Sequence, residues 1–257
     1  MACTRIADTE KKECVLYGSS PEENSMLYWF PKIKNLGIPF PETIIQKVSK
    51  NGWELASIID GDFSSIKDDW NDILASARKI GFPLFMRTDE FSSKHNWDNT
   101  CYVPNEESLQ AHIITLVDDS LATGMIGLPV RAFVFRKYVQ MATIFTAFYH
   151  HTPINPEVRF FIKDGKVDCH HWYWVTKAIE EGTPQKKLPH KWKKALTEVR
   201  LRTEKQEIPL LTEYAEKIAK EFPGFWSVDF CQALNGQWFL IDMAQGNVSY
   251  HPAEGEL

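Results

Sequence analysis

The sequence predicts a mixed α/β (α+β) fold, and three features carry that expectation. Apolar residues at Ile73, Leu74, Ala77 and Ile80 recur at helical spacing and stop at Gly81. Lys163-Asp164-Gly165-Lys166 and Asn235-Gly236 each separate two apolar runs, which is the pattern of antiparallel hairpins. Residues 176–221 are rich in Lys, Glu, Leu and Ala and read as helical, with a break near Pro209.

A chain of 257 residues can bury a substantial core as one large domain or two small lobes. Its 44% hydrophobic and 25% charged content is that of a folded soluble protein. A net charge of -5 argues against broad nucleic-acid binding and directs attention to small molecules or proteins as partners. Cys3, Cys14, Cys101, Cys169 and Cys231 are scattered without C-x-x-C spacing, so neither zinc nor a disulfide framework is expected. The first residues lack the apolar run of a secretory signal, and no stretch approaches the roughly 18 apolar residues of a membrane helix. A cytoplasmic location is the expectation.

Residues 1–25 are polar and carry Gly18-Ser19-Ser20-Pro21, so they read as a lead-in. Leu27 to Asn35 brings aromatics onto one apolar face. Gly37-Ile38-Pro39-Phe40-Pro41-Glu42-Thr43 then turns into a short strand, because each proline disfavours helix before it and Ile44-Ile45 is β-branched. Lys79 to Arg87 reads as a helix end, a Gly-Pro turn and a short buried strand with a cation at its end, followed by a flexible polar loop from Thr88 to Thr100. Cys101-Tyr102-Val103 is a brief strand, and Pro104 to Ser108 opens a helix that continues through Leu116 and Val117. Val130 to Val139, Ile144 to Tyr149, Val158 to Ile162, Val167 to Val175, Trp226 to Gln232 and Gln237 to Met243 are rich in aromatic and β-branched residues and read as strands. The tail from Gly246 is a loop.

Several of these placements can carry chemistry. Arg87 fixed at a strand end, with Lys94 on a Ser-rich loop, suits a triphosphate, although a strand followed by an ordinary polar loop has the same pattern. Asp229 and Asp242 sit on paired strands between apolar neighbours (Val228 and Phe230; Ile241 and Met243), so alternation directs both into one polar cleft. Two such carboxylates can share a magnesium ion; each alone could equally cap a turn or pair with a lysine. Alternation also sends Glu157 and Arg159 to one side of their strand, where Arg159 can meet phosphate or carboxylate, or form a solvent-facing ion pair. Adjacent histidines on a strand point to opposite faces, so His150-His151 and His170-His171 read as structural. Neither G-x-S-x-G nor a Walker-type loop occurs. Lys186-Lys187, His190-Lys191 and Lys193-Lys194 around Trp192 read as an amphipathic helix with a buried Trp, with base stacking as the other reading.

Taken in order, these pieces resemble the ATP-grasp superfamily over about residues 30–250. The motifs are Gly37 to Thr43, Ile80 to Arg87, Ser92-Ser93-Lys94, Val134 to Val139, Asn155 to Gly165, Ser227 to Phe230 and Leu240 to Met243. Arg87 stands where most members have lysine, which is similar to a group of bacterial and phage proteins. The chain also resembles the eukaryotic ATP-grasp chaperone that assembles a translation initiation factor. The resemblance implies two α+β lobes with antiparallel sheets gripping a nucleotide: a pre-ATP-grasp region at 26–80, a small nucleotide lobe at 81–138 and a metal and substrate lobe at 139–257. It implies ATP held by Arg87, Lys94, Arg136, Lys137, Tyr138, Val139 and Glu157, with Arg159 and Lys94 acting on the transferred phosphoryl group. Magnesium is implied on Asp229 and Asp242. The family's last acid is followed two residues on by asparagine; here that place is Ala244, leaving Gln245 or Asn247 to supply an amide, of which Asn247 is the expected ligand. The implied activity is ADP-forming ligation of a carboxylate to an amine, both substrates unspecified. An ATP-binding assembly factor with little turnover, or ATP-dependent nucleic-acid modification, is the alternative.

Overall fold

A computed structural model of the chain describes residues 21–50, 52–123 and 129–251; most of the polar lead-in therefore lies outside the described residues. Ser25 opens α1 (Met26–Ile33) as its N-cap, its hydroxyl accepting from Leu27 N–H and donating to the buried Asp89 carboxylate. Asp89 also accepts from the backbone N–H groups of Arg131 and Ala132 at 2.9 and 3.2 Å, which ties the start of the helix to the neighbouring sheet.

That sheet consists of β1 (Thr43–Lys47), β2 (Leu84–Thr88), β3 (Tyr102–Val103) and β4 (Ala132–Lys137), in the order β1-β4-β2-β3 and antiparallel throughout. Alternation divides its side chains. Leu84, Met86, Phe133 and Phe135 face α2 (Trp70–Ile80) and α3 (Leu109–Leu121) and build one core with Ile73, Ala77, Ile113 and Leu116. Phe85, Arg87 and Arg136 face the other way, into a cleft. Gly81 ends α2 with φ +85, a conformation a side chain would strain. The segment 26–80 is shared out: β1 and α2 join this sheet and its core, whereas α1 packs into a second core.

A short pair, β5 (Phe145–Ala147) and β6 (Thr152–Ile154), precedes the second sheet. The strand expected to run to Tyr149 stops at Ala147, because Phe148 and His151 take left-handed backbone conformations (φ 62 and 52) that turn the chain. Pro153 in mid-strand hides β6 from a reading of the sequence.

The large sheet comprises β7 (Glu157–Lys163), β8 (Lys166–Trp172), β9 (Phe225–Gln232) and β10 (Trp238–Gln245), in the order β10-β9-β7-β8 and again antiparallel. Asp164 and Gly165 make the expected β7–β8 turn with φ of 47 and 84. Val158, Phe160, Val228, Phe230, Leu240 and Met243 cover one face and pack with α1 and with α6 (Ile208–Ala219). Before α6 come α4 (Thr176–Gly182) and α5 (Trp192–Gln206); the break near Pro209 falls at Glu207, with the proline in the first turn of α6. Trp192 packs its ring on Phe145 at 5.6 Å while Lys186, Lys187, Lys193 and Lys194 are exposed, the arrangement of an amphipathic helix. Cys101 and Cys231 are free thiols; Cys169 is in a disulfide, a departure from the expectation for these cysteines.

Phe160 is fully buried and meets the Phe230 ring edge-on at 5.8 Å. Phe160→Ala should cost about 3–5 kcal/mol of unfolding free energy in urea titrations; a loss well below that range would mean that the ring does not sit at the centre of this core.

Candidate functional site

The face of the large sheet opposite its core carries the charges. Cross-strand pairing places His171 opposite Arg159, Arg159 opposite Asp229, and Asp229 opposite Asp242, so the four residues form one row over β8, β7, β9 and β10. Asp242 belongs to that row because of a β-bulge. Leu240 pairs with Phe230 on the core side, and the register then shifts so that Asp242, not Ile241, pairs with Asp229. Simple alternation puts Ile241 and Met243 together on the core face. Met243 is there, but Ile241 is the inserted residue and lines the cleft beside Asp242.

Glu157 and Arg159 share this face, as alternation requires, yet do not pair with each other. Arg159 makes a bidentate pair with Asp229, both contacts 2.7 Å, and Glu157 accepts from Lys94 Nζ at 2.8 Å. Both carboxylates are almost wholly buried. From the small sheet, Arg87 Nη1 lies 2.6 Å from Asp242 Oδ1, and Arg136 donates to the carbonyl of Ile241 and to Met26 Sδ.

Lys94 arrives on a segment that is more structured than the flexible loop expected. Residues Lys94–Asn99 form a short helical turn, Ser93 donates to Asp119, Thr100 Oγ1 donates to the carbonyls of Ser93 and Asn96, and Thr152 Oγ1 donates to the Lys94 carbonyl at 3.1 Å. Lys94 Nζ also sits 3.6 Å from the centroid of the Tyr173 ring, and Arg159 is 4.7 Å from the same ring. Sequence reasoning misses Tyr173: it lies beyond the end of β8, and only the fold brings its ring between two cations.

The two sheets enclose a cleft of about 830 Å³, measured out to solvent. Arg87, Lys94, Arg136, Lys137, Tyr138, Val139 and Glu157, which the resemblance assigns to a nucleotide, all line it, together with Asp242. Four cations (Arg87, Lys94, Arg136, Lys137) thus face two carboxylates (Glu157, Asp242) in a protein of net charge -5. Burial opposes the charge of Lys94, but Glu157, Tyr173 and Asp229 outweigh it and hold the ammonium protonated. Burial pushes Glu157 upward against the pull of Lys94. Arg136 is pushed down to about 9 by burial and the neighbouring Arg87, which Asp242 only partly offsets, and its Nε has no hydrogen-bond partner. An anion in the cleft would supply what Arg136 lacks.

The amide expected after the last acid is not in the cleft. Ala244 pairs with Ser227 on the charged face, whereas Gln245 pairs with Trp226 on the core face and donates its amide to Glu23. Asn247 lies past the strand in a short helical turn and is exposed. Among the described residues, no group of three or more His, Cys, Asp or Glu side chains is arranged to hold a metal ion by itself. No described helix is long and apolar enough to cross a membrane.

Two facing antiparallel sheets with a cation-rich cleft between them are the architecture of an ATP-grasp domain. The chain belongs to that superfamily: the model for an ATP-grasp domain, the third family of its clade, matches residues 46–256. Among solved structures, the chain is similar to Cdc123 from Schizosaccharomyces pombe, with a TM-score of 0.53 at 11% identity over 88% of this chain and 84% of that one. It is also matched to the N5-carboxyaminoimidazole synthetase of Staphylococcus aureus in complex with ADP, with a TM-score of 0.43 at 14% identity over 87% of this chain and 44% of that one. A RimK domain ATP-grasp protein of Sphaerobacter thermophilus gives a TM-score of 0.44 at 11% identity, covering 90% and 61% of the two chains. At such identities the likeness is one of fold, and the chain spans less than half the length of the synthetase. No curated protein sequence matches.

His170 and His171 point to opposite faces as expected: His170 stacks on Phe160, and His171 joins the charged row. Burial pushes the His171 imidazole down to about 4 from its ordinary 6.5. Between those values the unfolded chain takes up a proton that the folded chain refuses, so stability falls as the pH drops through this window. His171→Phe should lose less stability than the wild type between neutral pH and about pH 4.5, read from urea midpoints. Equal losses would show that the imidazole is not held neutral.

Proposed function

We propose that the chain is an ATP- and magnesium-dependent ligase, which activates a carboxylate as an acyl phosphate for attack by an amine and releases ADP. The observation that carries this reading is the excess of cations over carboxylates in the interlobe cleft, centred on the buried Arg136 with its unpartnered Nε. A polyphosphate answers both the charge and the missing hydrogen-bond partner.

The carboxylates fit a magnesium ion bound together with nucleotide. Magnesium keeps several waters and takes one or two protein carboxylates plus phosphate oxygens, so the cross-strand pair Asp229 and Asp242 is a sufficient set without a third acid. When bound there, the ion would neutralise charge on the transferred phosphoryl group. The chain's own part is electrostatic and positional. Arg87 and Lys94 hold the phosphates and stabilise the leaving ADP, and Arg159, kept in place by its two bonds to Asp229, presents its remaining guanidinium edge to the transferred group. Tyr138 and Val139, at the joint between the sheets, bound the adenine end, while Phe85 and Trp97 exclude water from the wall beside it. The absence of a nucleophile motif accords with direct transfer between bound substrates.

Ala244 favours a second reading, an ATP-binding assembly factor of little or no turnover. With Gln245 tied to Glu23 on the far face, the amide that usually follows the last acid has no substitute beside Asp242. The two readings part on ADP release: carboxylate-dependent and amine-dependent release marks the ligase, and tight nucleotide binding without release marks the assembly factor.

Calorimetry with a non-hydrolysable ATP analogue and magnesium tests the site under either reading. Arg87→Ala should weaken binding by about 1.5–3 kcal/mol, the value of a hydrogen bond to a charged group; unchanged affinity would remove Arg87 from the site. Asp242→Asn should abolish ADP release while leaving part of the nucleotide affinity. Undiminished release from that variant would defeat the metal assignment.

A further inference from the structure

Beyond Asp229, on the side away from the nucleotide cleft, the charged row continues to Arg159 and His171, and this end carries an unanswered group. His171 is 3% exposed, and its Nδ1–H donates to the Trp172 carbonyl at 2.9 Å, since a carbonyl can only accept. That bond fixes the tautomer and leaves Nε2 as a lone-pair acceptor. Nε2 is buried and has no hydrogen-bond partner. A buried acceptor without a donor is costly, and in a row of site residues it marks a place for a ligand donor.

The same end of the sheet is covered by the segment Ser249–His251. Gly246 makes the cover possible: a Cβ there would come within 2.3 Å of the Phe225 ring, so only glycine lets the backbone pass this close. Ser249 Oγ lies 2.6 Å from Ser227 Oγ, the Tyr250 carbonyl accepts from Arg159 Nη1 at 3.3 Å, and the His251 ring lies 4.6 Å from Phe161 and 5.7 Å from His171. Arg159 therefore already holds a carbonyl oxygen here, supplied by the chain itself, whereas the N–H that His171 lacks is not supplied.

We propose that the sheet face bearing Arg159 and His171, roofed by Ser249–His251, is the site for the acceptor amine, with a carbonyl or carboxylate of the acceptor on Arg159 and its amine N–H on His171 Nε2. The proposal rests on the ligase reading. In the amide-forming step the amine nitrogen bonds to the acyl carbon, the bond from that carbon to the phosphate oxygen breaks, phosphate leaves with its electron pair, and the amine's proton passes to His171 Nε2. Burial keeps the imidazole unprotonated at neutral pH, so its lone pair is available. Arg159 stands between His171 and Asp229 in the row, which sets the amine beside the place where the phosphoryl group is transferred.

Isotope-edited NMR of the full chain with labelled histidine tests this, using methylamine as the probe in the presence of magnesium and a non-hydrolysable ATP analogue. His171→Gln assigns the resonance by its loss. The expected results are a neutral imidazole protonated on Nδ1, a saturable shift of Nε2 on adding methylamine, and half-saturation at severalfold lower methylamine in His251→Gly, where the roof is reduced. A His171 protonated on Nε2, or a resonance that methylamine leaves in place in both proteins, would overturn the proposal. An equal response of the two proteins would overturn the roof. Nucleotide affinity measured on the same samples separates the cases: lost nucleotide binding counts against the ligase reading, and intact binding with a silent His171 counts against this inference alone.

Discussion

The bulge at Ile241 is the constraint on which the rest of this site depends. Without it Asp242 would share the face of Leu240 and be buried among Phe160, Phe230 and Met243, where an isolated carboxylate is strongly disfavoured. With it, Asp242 joins Asp229 on the charged face and reaches Arg87 on the opposing sheet. The bulge also frees the Ile241 carbonyl from its regular place in the ladder, and Arg136 takes it. One inserted residue thus supplies both partners of the two cations that the small sheet buries.

Three ion pairs then organise the space between the sheets. Arg87 with Asp242 and Lys94 with Glu157 cross from one lobe to the other, and Arg159 with Asp229 lies within the large sheet. Pairs this deeply buried stabilise little, because desolvation offsets most of the attraction. Their effect is orientation: each long side chain is held in a single place by a partner that is itself fixed on a strand. Losing either member leaves a buried charge unanswered, which is why the lobes, the Lys94 turn and the row on the large sheet form one unit. Tyr173 adds an aromatic face to both Lys94 and Arg159 and closes the space between them.

Much of the fold was legible from local signals. Hairpin turns at Asp164-Gly165 and Asn235-Gly236, the helix stop at Gly81 and the break before Pro209 each follow from backbone preferences that act over a few residues. Alternation was enough to send Glu157, Arg159 and Asp229 to one face. Where alternation is interrupted, it failed: the Ile241 bulge, β6 with its central proline, and the left-handed residues Phe148 and His151 leave no periodic trace. The order of the motifs added the likeness to the ATP-grasp superfamily, which no single stretch carried.

What the sequence determined by itself was the type and order of most elements, the face on which each strand carries its charges, and the superfamily to which those motifs belong, because these depend on short-range stereochemistry and on spacing along one chain. Tertiary structure alone decided the partners. That Arg87 meets Asp242 rather than Asp229, that Lys94 and not Arg159 neutralises Glu157, that Gln245 turns to Glu23, and that His171 ends a four-residue row beneath Ser249–His251 all follow from strand register and from the approach of two sheets. Register between distant strands is set by how whole faces pack, a sum over many contacts that no local window of sequence contains.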